Sequence, residues 1–144
     1  MVASTPRRHP DLIGDIAELA VLKRLVQLNY DVYLPYGKNH RCDFLVLNDD
    51  GLLRVQCKSG RLAHGGSAVM FNTASSYNHT AKQPGYRPYR GQADYFGVYC
   101  EAIDKVYWVP VDEAPLRQAT LRLLPAGNNQ SRFVRWAKDY ELKR

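Results

Sequence analysis

Apolar residues along this chain follow two successive periods. From Asp11 to Asn29 the run D-L-I-G-D-I-A-E-L-A-V-L-K-R-L-V-Q-L-N spaces them three and four apart, which predicts a helix. Pro10, Asp11 and Asp15 suit its first turn, and Lys23 and Arg24 come later, the order that the helix dipole favours. Beyond it the period shortens to two. Tyr30 to Tyr36 reads as a strand, followed by the polar stretch G-K-N-H-R. Cys42 to Lys58, C-D-F-L-V-L-N-D-D-G-L-L-R-V-Q-C-K, then reads as two strands around an Asp-Asp-Gly turn of hairpin chemistry. Ala68 to Thr73 predicts another strand. Asp94 to Cys100 and Val106 to Val111 predict a second hairpin around E-A-I-D-K, with Tyr95, Phe96, Tyr99, Tyr107 and Trp108 as packing residues. Ala119 to Leu124 suits an edge strand, and Ser131 to Leu142 suits a C-terminal amphipathic helix capped by Ser131. Ser75 to Gln92 has no period and reads as a long polar loop, a kind of segment that is usually functional or disordered in small domains.

The hairpin carries the candidate chemistry. Strand alternation puts Arg54, Gln56 and Lys58 on one face and Leu53, Val55 and Cys57 on the other. With Asp49-Asp50 as the two-residue loop, Asp43 faces Gln56; with Asp50-Gly51, it faces Lys58. Either register sets a carboxylate beside an amide oxygen and an ammonium, a set suited to one divalent cation and an activated water. The ordinary alternative is a solvated hairpin face. Glu18 is the anomaly in the helix, since Gly14, Val21 and Leu22 surround it three and four residues away and its carboxylate leaves from the apolar stripe. Unless it curls to solvent at the rim, such a carboxylate needs a cation, a hydrogen-bond partner or a proton. Gly14 leaves room beside it for an approaching group. Asp94 is a possible further acid, or a residue of the turn that enters its strand.

Composition narrows the class. At 144 residues with 45% apolar content, one domain with a real core is expected, preceded by a basic, flexible arm from Met1 to Pro10. No apolar run approaches the roughly 20 residues of a membrane span, and a soluble, cytoplasmic protein is expected. Cys42, Cys57 and Cys100 form no C-x-x-C pair, and His9, His40, His64 and His79 lack zinc-ligand spacing, which argues against a disulfide framework and against structural zinc. Formal charge is +6, and its distribution matters more than its total: Gly51 to Ala93 holds no Asp or Glu, but it holds Arg54, Lys58, Arg61, Lys82, Arg87 and Arg90. Unopposed charge of this kind favours a polyanion. Tyr77, Tyr86 and Tyr89 interleave with Lys82, Arg87 and Arg90, a mix suited to phosphate contacts and stacking on DNA.

The ordered set G-D-I-A-E-L at Gly14 to Leu19, C-D-F at Cys42 to Phe44 and V-Q-C-K at Val55 to Lys58 resembles the PD-(D/E)XK nuclease superfamily. Within it, Gln56 in place of the usual acid is similar to the group I intron-associated homing endonucleases, and sets the chain apart from the archaeal-type Holliday junction resolvases. The resemblance implies an α/β fold with a restriction-endonuclease-like core, a central mixed β-sheet flanked by helices. It also implies a metal-dependent DNA endonuclease. Asp43 is then the principal metal ligand, Glu18 a further one and Gln56 a carbonyl donor. Lys58 orients or deprotonates the attacking water and offsets charge on the phosphate. Mg²⁺ is the implied cofactor, with Mn²⁺ able to substitute. Arg54, Arg61, Tyr77, Lys82, Tyr86, Arg87, Tyr89 and Arg90 are the expected DNA-binding residues. The expected partner is double-stranded or branched DNA, bound by a homodimer or homotetramer. A structure-selective resolvase and a catalytically silent DNA-binding module on the same fold are the alternative expectations.

Overall fold

The computed structural model describes residues 7–77, 85–125 and 134–143. Helix α1 spans Pro10–Gln27. The His9 side chain caps it by accepting from the Asp11 backbone N–H at 3.2 Å, Pro10 occupies its first turn, and Asn29 turns the chain out of it at φ +63°. Its buried stripe, Ala17, Val21 and Leu25, repeats every four residues. Complete burial of Val21 and Leu25 is worth about 2–3 kcal/mol each. The expected arm is in part tied down, because Arg8 pairs with Glu101.

Strands follow as β1 (Asp31–Tyr33), β2 (Phe44–Asn48), β3 (Gly51–Ala63), β4 (Ala68–Asn72), β5 (Ala74–Tyr77), β6 (Gly85–Pro88), β7 (Tyr95–Cys100), β8 (Lys105–Pro110) and β9 (Gln118–Arg122). Seven of them form one mixed sheet in which β3 pairs antiparallel with β2 and β4 and parallel with β7. The β2–β3 register pairs Asn48 with Gly51, so the loop is Asp49-Asp50. Continuing that register past Phe44 and Val55 sets Asp43 across from Gln56, the first of the two predicted arrangements. Helix α1 covers one face of the sheet, where Val21 and Leu25 pack with Phe44, Val46 and Val55. On the other face Phe71, Phe96, Val98, Tyr107 and Val109 form a second core.

Three expectations change. Strand β3 runs through Gly60 to Ala63, well past the predicted hairpin. A glycine inside a strand usually marks a break, but here a Cβ would lie 2.8 Å from Val69 Cγ1, so Gly60 is what lets β4 pack close. The stretch expected as a loop contains an antiparallel ribbon, β5–β6, that pairs Ser75 with Arg87. The C-terminal helix is a single turn, α2 (Ala137–Tyr140). Sheet-like bridges of Trp136 to Arg122 and Glu141 to Tyr107 flank it and hold the backbone extended on either side. Its proposed cap, Ser131, lies outside the described residues.

Candidate active site

Strand β2 begins at Phe44, whereas β3 continues well beyond Val55, so Cys57 and Lys58 have no β2 neighbour. Asp43 sits at this gap. Its backbone N–H donates to the Val55 carbonyl at 2.7 Å, and its Oδ2 accepts from the Cys57 N–H at 2.7 Å. These two bonds lock the carboxyl against β3 before any ligand arrives.

Glu18 reaches the same gap from α1. A cleft of about 320 Å³ is lined by Glu18 and Asp43 together with Leu34, Asn39, His40 and Cys42. A Cβ on Gly14 would meet nothing within 4 Å, so the helix surface beside Glu18 is open, as its sequence suggested. Burial, then the charges of Asp43 and Asp15, hold the Glu18 carboxyl above the usual range. Burial likewise raises that of Asp43, against the lowering effects of the Cys57 N–H and of Lys58. The Cys57 thiol is pushed well up by burial, Asp43 and Glu18 and is drawn down by Lys58.

Gln56 and Lys58 leave β3 on the face opposite Val55 and Cys57. Among the described residues, the one hydrogen bond of the Gln56 side chain is from its Nε2 to the Cys57 carbonyl at 3.4 Å, which leaves its carbonyl oxygen available. Lys58 Nζ donates to the Tyr89 hydroxyl at 3.3 Å. The described residues contain no group of three or more His, Cys, Asp or Glu arranged for a metal. Of the four predicted site residues, Glu18 and Asp43 line the cleft, whereas Gln56 and Lys58 are not among its lining residues. Two carboxylates whose pKa values burial raises are oxygens of the kind that fit a hard divalent cation.

The expected DNA contacts divide. Arg61, Arg87 and Arg90 are exposed. Arg54 instead clamps the fold: its backbone N–H and guanidinium bond both Asp94 oxygens at 2.7–3.2 Å, and its Nη1 bonds the Gly91 carbonyl at 2.8 Å. Asp94, considered above as a further acid, is held below the usual carboxyl range first by the Arg54 side-chain bond and is spent on this clamp. Tyr89 is only 5% exposed, packed edge-on to Phe96 at 5.8 Å, so stacking on a base is not its role. Tyr77 and Tyr86 fall in the ribbon, and Lys82 lies outside the described residues.

Arg41 escaped the sequence reading. Its guanidinium bonds Ser75 Oγ at 2.7 Å, the carbonyls of Arg87 and Pro88 at 3.1 and 2.9 Å, and Gln92 Oε1, and it lies 3.9 Å over the Tyr89 ring. A guanidinium satisfied by carbonyls rather than by an acid leaves no charge-pairing signal in the sequence.

The family model of the PD-(D/E)XK endonucleases matches residues 8–143. The chain belongs to that family, and it is a nuclease acting on DNA. Its fold is similar to that of a bacterial homing endonuclease, I-Ssp6803I, with a TM-score of 0.72 and 22% identity over 93% of this chain and 89% of the other. The restriction-endonuclease-like α/β core implied by the resemblance is therefore present. No curated protein matches the chain.

Proposed function

We propose that this chain is a Mg²⁺-dependent, site-specific DNA endonuclease of the homing type that works as a homo-oligomer. The observation that supports the reading is that Glu18 and Asp43 line one cleft, with the charge of Lys58 acting on Asp43 and with Gln56 across from Asp43 in the continued β2–β3 register. Asp43, Glu18 and the Gln56 carbonyl are the oxygens that would hold the cation, and Mn²⁺, which takes similar ligands, is expected to substitute. The cation would supply the positive charge that a phosphodiester needs as it is displaced. Lys58 orients the attacking water and offsets phosphate charge, and the Cys57 N–H keeps the Asp43 carboxyl aimed into the opening. The exposed Arg61, Arg87 and Arg90 supply phosphate contacts, and the β5–β6 ribbon is a two-stranded element of the kind that enters a major groove.

One such site cuts one strand, so two copies related by a two-fold axis match a duplex. Tyr33, Leu47 and Leu52, at 52%, 39% and 58% exposure, lie on the uncovered face of β1–β2–β3 and support self-association through that face.

The test is to incubate wild type, Asp43→Ala and Lys58→Ala with a randomised duplex library and a four-way junction, with and without Mg²⁺, and to sequence the ends. Duplex ends at a common sequence that need Mg²⁺, Asp43 and Lys58 are expected. Cutting of the junction alone would favour a resolvase. Salt-sensitive binding with the DNA left intact under Mg²⁺ would favour a silent binding module. A monomeric mass by light scattering, with double-strand cutting intact, would refute the oligomer.

A further inference from the structure

A lysine ammonium ends a flexible four-carbon stem, so a lysine that must act on one water needs something to hold it. Lys58 has such a holder. Its Nζ donates to the Tyr89 hydroxyl at 3.3 Å and lies 4.6 Å from the centre of the same ring. Tyr89 is itself fixed by two neighbours. Phe96 meets its ring edge-on at 5.8 Å and an interplanar angle of 89°. Arg41 lies 3.9 Å over it, and the Arg41 guanidinium is pinned in turn by Ser75, Arg87, Pro88 and Gln92. With 5% of its surface exposed, the ring has no room to swing out.

We infer that Tyr89 is the positioning residue for Lys58, with Arg41 seating the ring. One of the three ammonium N–H groups is spent on the phenol oxygen, which fixes the direction of the other two toward water and phosphate. The inference rests on the assignment of Lys58 to the cutting site proposed above. It adds that the geometry of the lysine is set by a residue 31 positions further along the chain, on the segment that leaves the β5–β6 ribbon. Because Arg41 grips Ser75 of β5 and the Arg87 and Pro88 carbonyls of β6, the seat of Lys58 is fastened to the base of that ribbon.

Tyr89→Phe removes the hydroxyl and keeps the ring that Arg41 and Phe96 pack against. The first readout needs no DNA: relaxation of the lysine ε-carbons in ¹³C-labelled full-length protein, with the Lys58 signal identified by its loss in Lys58→Arg. In wild type the Lys58 signal is expected to be ordered relative to the exposed lysines, and in Tyr89→Phe it is expected to join them. The second readout is single-turnover cleavage of a duplex recovered from the randomised library. Tyr89→Phe should lose about 10- to 100-fold in rate, the scale on which a misplaced group costs catalysis, with DNA affinity in Ca²⁺ and melting temperature unchanged. A Lys58 as mobile in wild type as the surface lysines overturns the inference. So does a Tyr89→Phe enzyme that cuts at the wild-type rate while Lys58→Ala is inactive, and in that case the site assignment still stands. If Lys58→Ala itself cuts normally, the assignment of Lys58 falls first.

Discussion

Gly97 sits on β7 directly beneath α1, and adding one methyl group there tests whether the helix position sets the site. A Cβ at this position would lie 2.6 Å from Val21 Cγ1 and 3.3 Å from its Cγ2. Carbon atoms pack at about 3.5–4.0 Å, so helix and strand must part by roughly 1 Å. Val21 is fully buried, and a β-branched side chain in a helix has essentially one rotamer, so it cannot turn aside. Overpacking of this kind costs about 1–3 kcal/mol. For a chain of this size each kcal/mol lowers Tm by about 3 °C. Glu18 lies one turn from Val21, so the same shift draws its carboxylate away from Asp43, and an error of about 1 Å in a site can cost about 100-fold in rate. Gly97→Ala is therefore expected to lose more activity than its stability change explains. Val21→Ala alone should cost about 2 kcal/mol for the methyls removed. In the double variant the new methyl occupies part of that void, so its stability should exceed the sum of the singles by about 1–2 kcal/mol, with most of the cutting restored. Urea unfolding and single-turnover cleavage measure both quantities. A Gly97→Ala protein with unchanged Tm and full activity, or a strictly additive double variant, would refute the argument.

Other expectations concern charge. Burial raises the folded-state pKa of Asp43 above its unfolded value, so the fold loses stability as pH rises through that folded pKa. Asp43→Asn does not titrate, and its melting temperature should therefore exceed that of wild type at neutral pH, with the gap closing as pH falls through the carboxylate range; a gap independent of pH would contradict this. Asp94 behaves in the opposite way. Arg54 lowers its pKa, so its contribution is present above the unfolded carboxylate pKa and is lost as pH falls through the folded one. Asp94→Asn should then cost about 1 kcal/mol or less at pH 7 after solvent screening, and nothing in acid. In DNA titrations against salt, Arg61→Ala and Arg87→Ala should each reduce the slope of log K on log salt by about 1, whereas Arg54→Ala should leave it unchanged. An equal loss for Arg54→Ala would return that residue to the DNA interface.

What the sequence made legible was whatever local period and turn chemistry determine. The α1 stripe, the β2–β3 loop options and the facing of Gln56 and Lys58 follow from spacing alone, and the anomaly of Glu18 followed from its apolar neighbours. What it missed depends on contacts between distant segments. The β5–β6 ribbon has no alternating pattern because it pairs apart from the main sheet and is fastened by Arg41. Tyr89 looked like a solvent-facing aromatic among basic residues until Phe96 and Arg41 closed around it. The C-terminal segment has helical spacing, yet the bridges at Trp136 and Glu141 override it.

Strand β3 pairs with β2, β7 and β4 in succession along its 13 residues, and Gln56 and Lys58 lie midway. A slip of one residue would turn both side chains to the wrong face and would also break three ladders at once. Assembly of the sheet and alignment of these two side chains, to which cutting is assigned under the proposed function, are thus a single event. A population of this protein should contain working molecules and unfolded ones, with no compact but misaligned class between them. Specific activity across a denaturant series would then serve as a direct count of folded molecules.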